Sequence, residues 1–322
     1  MNICLTLVVG LLLIFPVVSL GQTLDTKEKS VSERESVTLL RLDWTSQQVI
    51  TQITGNILKE KGMSVTYLDS ESKGQWFLLN SGEADVQMEV WEGTMAKRFN
   101  ELVAQGRLLD AGNHDVRTRE EWWYPSFVSI LCPGLPHWEA LNDCEELFAT
   151  DNSKGKGVYY AGPWEKPDRV KIRALRLNYT VVELPDGNAL NEKIHQAMKA
   201  QQPVLIFNWS PNWVDVIYEG EFVQFPIYDP ACETDPKWGV NQEYLWDCGN
   251  PANGWLKKTI SRQFYSRSPC SAQIVKAIQF NTKDLSEAAY RVDIQGHTVE
   301  RAASLWMTAN TERWQAWLKV CD

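Results

Sequence analysis

Four of the fifteen tryptophans of this chain stand where a strand is expected to end or a turn to begin. They are Trp44 in Leu-Asp-Trp-Thr, Trp91 in Glu-Val-Trp-Glu, Trp164 in Gly-Pro-Trp-Glu and Trp209 in Phe-Asn-Trp-Ser. Loops that follow strands are where α/β proteins hold ligands. The face of an indole ring is rigid, apolar and electronegative, so it can hold a methylated cation that has no hydrogen to donate. These four residues are candidate walls of a cation-binding site.

Other tryptophans have a simpler interpretation, because most indoles pack in cores. Trp213 is expected on a short helix after Trp209 and is predicted to pack there. Three more fall on one helical tail and are predicted to be core residues: Trp306, Trp314 and Trp317.

A run of acidic and aromatic residues spans 120–125 and reads Glu-Glu-Trp-Trp-Tyr-Pro. It directly precedes a segment expected to cross between two halves of the chain, where an acid and an indole can face a cleft. Glu121 and Trp123 are therefore further candidate binding residues. The choice between Glu121 and Glu120 stays open, and a packed hinge with two surface acids is the alternative.

The two ends of the chain and its cysteines indicate export. Residues 3–20 form an uncharged apolar run followed by a small residue at Gly21, which predicts a signal peptide over residues 1–21. An uncleaved membrane anchor is the alternative, because no Lys or Arg precedes the run. The polar residues 22–35 are predicted to be a flexible leader.

Without the signal peptide six cysteines remain, and an even number in an exported chain predicts disulfides. Closeness in sequence favours two pairs and leaves a third, while other pairings stay open. The two favoured pairs are Cys132–Cys144 and Cys232–Cys248, and the pair left over is Cys270–Cys321.

Composition and motifs exclude several functions. The formal net charge of −9 argues against binding nucleic acid or an anionic membrane surface. The four histidines are scattered and no CxxC occurs, so no metal site is predicted, although calcium binding by the acidic loop 229–247 stays open. No nucleophile–base, Walker or dinucleotide-binding motif is present, so neither catalysis nor a cofactor is expected. An exported hydrolase and a sugar-binding protein are the more remote alternatives.

Two series of alternating strands and helices are expected, which is typical of parallel α/β sheets. The first has strands at 37–42, 65–68 and 85–90 and helices after 45, at 73–81 and at 95–105. The second has strands at 126–131, 157–160, 180–184 and 203–207 and helices at 138–149, 169–177 and 190–200. Residues 222–227 are expected to cross back, and helices are expected at 271–279, 286–292 and 299–318. This pattern predicts one lobe from 36–125 with 228–322 and another from 126–227.

Three segments resemble the substrate-binding proteins of ABC importers for glycine betaine and other quaternary ammonium compounds. They are 84–91 (Ala-Asp-Val-Gln-Met-Glu-Val-Trp), 162–164 (Gly-Pro-Trp) and 207–213 (Phe-Asn-Trp-Ser-Pro-Asn-Trp). Within that class, residues 42–45, 122–125 and 132–138 are most similar to trimethylamine N-oxide-binding proteins.

The resemblance implies a type II periplasmic binding protein, with two α/β lobes joined by two hinge crossings. It implies a cage of Trp44, Trp91, Trp164 and Trp209 around a small methylated ammonium osmolyte. Trimethylamine N-oxide ranks first, followed by glycine betaine or choline and then dimethylsulfoniopropionate. Glu121 is carried over as a polar contact. The implied setting is a periplasmic monomer, without a cofactor, that delivers its ligand to an ABC permease in the inner membrane.

Overall fold

A computed structural model describes residues 35–164 and 166–321. The predicted signal peptide and all of the predicted leader except Glu35 lie outside these residues. The strands are β1 Ser36–Arg41, β2 Ser64–Asp69, β3 Val86–Trp91, β4 Leu108–Pro125, β5 Pro133–Pro136, β6 Gly157–Ala161, β7 Tyr179–Glu183, β8 Leu205–Ser210, β9 Gly220–Phe222 and β10 Gly254–Ser261. The helices are α1 Thr45–Glu60, α2 Gln75–Ser81, α3 Glu92–Ala104, α4 Val128–Leu131, α5 Asp168–Ala174, α6 Gly187–Ala200, α7 Val214–Ile217, α8 Arg262–Arg267, α9 Pro269–Ala277, α10 Thr282–Asp293, α11 Val299–Ala309 and α12 Thr311–Leu318.

Nine of these strands form one mixed sheet in the order β2-β1-β3-β10-β4-β8-β6-β7, with β9 paired to β4. The predicted parallel strands are confirmed, since β1 pairs with β2 and β3, and β6 pairs with β7 and β8, all in parallel. The long strand β4 joins the two groups. Its first part, Leu108–Thr118, pairs with β10, and its second part, Arg119–Trp123, pairs with β8.

The strand predicted at 126–131 is wrong, because that segment forms the one-turn helix α4. The crossing strand is the preceding β4, whose eighteen residues include several charged side chains. Along its first half buried and exposed positions largely alternate, as in a strand with one solvated face. Because so many of its residues are charged, β4 was not recognised as a strand from the sequence.

Strand β10 was also not predicted, because it contains two adjacent lysines. Lys257 pairs with Asp110 at 2.6 Å, while Lys258 is buried and donates to the carbonyls of Lys276 and Ile278. A lysine can enter a sheet interior in this way when carbonyl oxygens satisfy its ammonium group.

Two predicted helices are divided in the structure. The segment 138–149 forms two short 3₁₀ helices, Trp138–Asp143 and Glu145–Phe148, because the disulfide-bonded Cys144 between them has a non-helical φ of −131°. The tail helix predicted at 299–318 is interrupted at Asn310, where φ is −123°. Residues 220–222 form β9, so only the start of the predicted return crossing is a strand.

Three disulfides connect the pairs that closeness in sequence favours, Cys132–Cys144, Cys232–Cys248 and Cys270–Cys321. Trp213 and Trp306 are 1% and 7% exposed and belong to the hydrophobic core, as predicted. Trp314 and Trp317, also predicted as core residues, are only partly buried and pack against that core. Among residues 35–164 and 166–321, no helix combines the length and apolar character needed to cross a bilayer.

Candidate functional site

All four predicted cage tryptophans line one cavity. Two of them come from the first group of strands and two from the second. The full lining consists of Trp44, Trp91, Thr94, Met95, Glu120, Trp164, Phe207 and Trp209.

Strand ends place the tryptophans. Trp44 follows β1 and precedes α1, and Trp91 ends β3 and precedes α3, each with an extended backbone. Because β1 and β3 are adjacent and parallel, their carboxyl ends meet at one edge of the sheet. Trp164 follows β6 and Trp209 lies in β8, and these strands are likewise adjacent and parallel.

The second pair of tryptophans forms an aromatic corner. The rings of Trp164 and Trp209 stand nearly perpendicular, at 82°, with centroids 5.6 Å apart. Phe207 precedes Trp209 by two residues, so both rings lie on the same face of β8. Its ring centroid is 5.5 Å from that of Trp164. The cavity thus has aromatic walls in several orientations, as cation–π contact with a compact methylated group requires.

The first pair shares one buried acid, Glu89. Its Oε2 accepts hydrogen bonds from the Trp44 indole at 2.6 Å, the Trp91 indole at 3.0 Å and the Ser46 hydroxyl at 3.1 Å. Burial raises the pKa of Glu89 to about 7, although these three hydrogen bonds lower it. The sequence analysis assigned no role to Glu89. Its position two residues before Trp91, on the same face of a strand, was the available signal.

The acid that lines the cavity is Glu120, not Glu121. Thr94 donates to Glu120 Oε1 at 2.8 Å, and Oε2 is buried without a hydrogen-bond partner in the described residues. Burial raises the pKa of Glu120, while Lys166 and hydrogen bonds from Thr94 and the Gly93–Thr94 backbone lower it. Glu120 is therefore the acid that forms part of the cavity wall.

Lys166 brings a positive charge to the same region. Its Nζ lies 3.5 Å from the ring centroid of Phe207. Burial lowers the pKa of Lys166, and the nearby carboxylate of Glu120 opposes that shift. Lys166 follows Trp164 by only two residues in the sequence.

Glu121 and Trp123 do not line this cavity. Glu121 forms an ion pair of 3.0 Å with Lys171, and both side chains are nearly inaccessible to solvent. Its other oxygen accepts from the backbone N–H of Asn250 at 2.7 Å. Trp123 packs against Gly220 on the paired strand β9. Both have structural partners here.

No cluster of three or more His, Cys, Asp or Glu side chains suited to a metal ion occurs in the part of the chain that the structure describes. The acidic loop 229–247 instead uses its carboxylates on its own backbone. Asp247 accepts from the Asn241 N–H at 2.6 Å, and Asp229 accepts from the Ala231 N–H at 2.8 Å.

Comparisons with known proteins agree with this geometry. Residues 35–309 match the family model OpuAC, described as the substrate-binding domain of ABC-type glycine betaine transport systems. A curated relative, the trimethylamine N-oxide-binding protein of Pelagibacter ubique (strain HTCC1062), is 33% identical over 286 residues, which cover 86% of this chain and 88% of the relative.

Solved structures share the fold at low sequence identity. Lactococcal OpuAC in a closed conformation with glycine betaine has a TM-score of 0.64 and 17% identity, covering 88% of this chain and 99% of that one. An ABC-transporter choline-binding protein in complex with choline has a TM-score of 0.69 and 14% identity, covering 88% and 91%. These likenesses confirm the predicted periplasmic-binding-protein fold. The chain belongs to the OpuAC family and is a substrate-binding component of a glycine betaine-type ABC transporter.

Proposed function

We propose that this chain captures trimethylamine N-oxide between Trp44, Trp91, Trp164 and Trp209 and delivers it to an ABC permease in the inner membrane. The observation that carries the proposal is the convergence of four indoles and one acid, Glu120, on one cavity. The relative that is named for this ligand supports it. The proposed setting is the periplasm, reached through a signal peptide over residues 1–21, and the protein acts there as a monomer without catalysis.

The aromatic walls supply enough free energy for capture. A desolvated cation–π contact contributes about 1–2 kcal/mol, so four give several kcal/mol before the cost of ordering the ligand. Burial of three methyl groups adds to this. Together these terms suit a dissociation constant in the micromolar range, which corresponds to roughly −8 kcal/mol.

Glu120 favours an N-oxide over other methylated amines. Burial raises the pKa of Glu120 relative to that of an exposed carboxyl group. In its protonated form this group would donate a hydrogen bond to the N-oxide oxygen. An ionised Glu120 would instead attract choline and repel the carboxylate of glycine betaine.

Lys166 favours glycine betaine as the second candidate. Its ammonium lies on Phe207, a cavity residue, and can pair with a ligand carboxylate. Choline has no anionic group and gains nothing from Lys166. Dimethylsulfoniopropionate also has a methylated cation and a carboxylate, but the carboxylate lies further from its cation.

Ligand capture is proposed to close two lobes, residues 36–125 with 228–322 and residues 126–227. Strand β4 and the segment 222–227 are the proposed crossings. Asp293 accepts hydrogen bonds from Thr45 at 2.7 Å and from Asn191 at 3.3 Å. It thereby joins segments assigned to different lobes, and such contacts support a closed state around the cavity.

A thermal-shift panel tests the proposed ligand. Trimethylamine N-oxide should raise the melting temperature at lower concentrations than glycine betaine, choline or dimethylsulfoniopropionate, because a ligand of the native state stabilises it. Glucose and maltose serve as controls and should cause no shift. A response to the sugars, or none to any methylated compound, sinks the proposal. Recovery of the ligand unchanged after incubation separates binding from turnover.

A further inference from the structure

Glu89 contacts two of the four cage tryptophans although it does not itself line the cavity. One carboxylate oxygen, Oε2, accepts from the Trp44 indole at 2.6 Å and from the Trp91 indole at 3.0 Å. The side chain has no exposure to solvent. A single atom thus connects the residues that follow β1 and end β3.

A buried amide network holds Glu89 in turn. The Gln87 side chain accepts from the Glu89 backbone N–H and donates to the Glu89 carbonyl oxygen at 2.7 Å. The same Gln87 amide donates to Gln75 Oε1 at 3.0 Å. Because each of these side chains is buried, Glu89 has little freedom to move away from the two indoles.

A carboxylate is a costly choice for this place if its only task is structural. No ion pair to Glu89 occurs in the described residues, Oε1 has no hydrogen-bond partner there, and burial raises its pKa to about 7. A neutral amide could accept the same indole hydrogens without that cost. An indole that donates to a carboxylate, however, is polarised toward greater negative potential on its ring face. A charge on Glu89 therefore strengthens the attraction of the Trp44 and Trp91 ring faces for a cationic ligand.

We propose that Glu89 is a positioning residue of the cage, which fixes Trp44 and Trp91 and strengthens, through both rings, their attraction for a cationic ligand. The inference rests on the proposed function only in placing a methylated ammonium compound in the cavity.

Two substitutions separate position from charge. Glu89→Leu removes the hydrogen-bond acceptor that positions the indoles and also the charge. It should weaken the binding of trimethylamine N-oxide and of tetramethylammonium roughly 10-fold or more. Glu89→Gln keeps an acceptor but no charge. It should weaken tetramethylammonium, a full cation, several-fold and the net-neutral N-oxide less. Calorimetric titration measures both, with urea unfolding as the stability readout.

A matched control is Asp284→Asn, which alters the same kind of contact in the core. Asp284 accepts from the Trp306 indole at 2.7 Å, outside the cavity. This variant should lose stability but keep the parent's affinities. Glu89 variants that bind both ligands like the parent overturn the inference.

Indole N–H resonances of the ligand-free protein test positioning without any ligand. Trp44→Phe and Trp91→Phe assign the two signals. Both should move in Glu89→Gln and in Glu89→Leu, while the Trp306 signal should move only in Asp284→Asn. Unmoved Trp44 and Trp91 signals refute the positioning role. If the parent binds neither methylammonium compound, the proposed function fails, and these resonances still decide the role of Glu89.

Discussion

Opposite charges beside an aromatic cage suit a ligand that is itself dipolar. Glu120 lines the cavity, and Lys166 lies on the ring of Phe207. A methylated nitrogen attracts the acid and the ring faces, whereas an N-oxide or carboxylate oxygen attracts the ammonium group. At this scale, we propose that selectivity depends on these two side chains rather than on the tryptophans, which suit any methylated cation.

Lys166→Met should therefore change selectivity. We expect the affinity for glycine betaine to fall roughly 10-fold, because its carboxylate loses a partner, and the affinity for choline to stay level or rise. Lys193→Met is the control, since Lys193 Nζ lies over Tyr160 at 4.6 Å and neither residue lines the cavity. Competition titrations with the three ligands give the ratios. An unchanged betaine-to-choline ratio refutes this role for Lys166.

The tryptophans could be predicted from the sequence and their acidic neighbours could not. A tryptophan at a strand end is itself a signal of a ligand site, because α/β proteins hold ligands at strand ends. The choice between Glu120 and Glu121 depends on which face of β4 each occupies, and a shift of one residue exchanges the faces. Since β4 itself was not predicted, that choice had no basis. The role of Glu89 was missed for another reason. The role of a buried acid depends on its hydrogen-bond partners, and the sequence does not show them.

At the scale of elements, the pairing of β4 with β9 buries a candidate site residue, Trp123. Trp123 lies over Gly220, and a Cβ atom added at Gly220 would come 1.8 Å from Trp123 Cζ2. The ring thus depends on a glycine in the paired strand. This close packing explains why Trp123 is 2% exposed and does not line the cavity.

Gly220→Ala should destabilise the protein by about 1–3 kcal/mol through overpacking and leave ligand affinity of the folded protein nearly unchanged. Urea unfolding gives the stability and calorimetry gives the affinity. Glu219→Ala, an exposed change next to it, should shift stability by less than about 0.5 kcal/mol. A large loss of affinity in folded Gly220→Ala would indicate that Trp123 acts on the ligand after all.

Individual elements also show where prediction of the fold from the sequence succeeds and where it fails. Helices with regular apolar spacing, such as α1, and apolar strands such as β3 were predicted to within a few residues. The two strands that unite the sheet were missed. Their charged side chains are explained by partners distant in sequence, such as the Lys257–Asp110 pair. Local patterns do not contain that information.

For the whole molecule, buried acids with raised pKa values make stability depend on pH. The pKa of Glu89 is about 7 and that of Asp293 about 6, in both cases chiefly because of burial. A carboxyl group whose pKa is higher in the folded state binds its proton more tightly there. Its contribution is most favourable at low pH and is lost as the pH rises from about 4.5 to 7.

The contribution of Glu89 to the free energy of unfolding should therefore decrease over that interval, by roughly 3 kcal/mol. Burial lowers the pKa of His114, and its contribution changes in the opposite direction. Glu89→Gln should flatten the profile, which urea unfolding at several pH values measures. Asp69→Asn is a control, because hydrogen bonding to Arg41 lowers the pKa of Asp69 and leaves it ionised throughout this range. A Glu89→Gln profile with the same pH dependence as that of the parent contradicts the assignment.

None of the six cysteines in the three disulfides lines the cavity, and one disulfide joins Cys321 to Cys270. The secreted protein should carry all six of these cysteines oxidised, so its unreduced mass should fall below the reduced mass by two hydrogens per bond. Free thiols in the folded, unreduced protein would falsify this expectation.

Calorimetric titration of trimethylamine N-oxide into the parent and into single Trp→Ala variants tests the central claim most directly. Loss of one indole face from Trp44, Trp91, Trp164 or Trp209 should weaken binding by about 1–3 kcal/mol, and Trp→Phe should be milder. Trp306→Ala, in the core, should lower stability and leave the affinity of the folded fraction nearly unchanged. Four cage variants that bind like the parent would contradict the account.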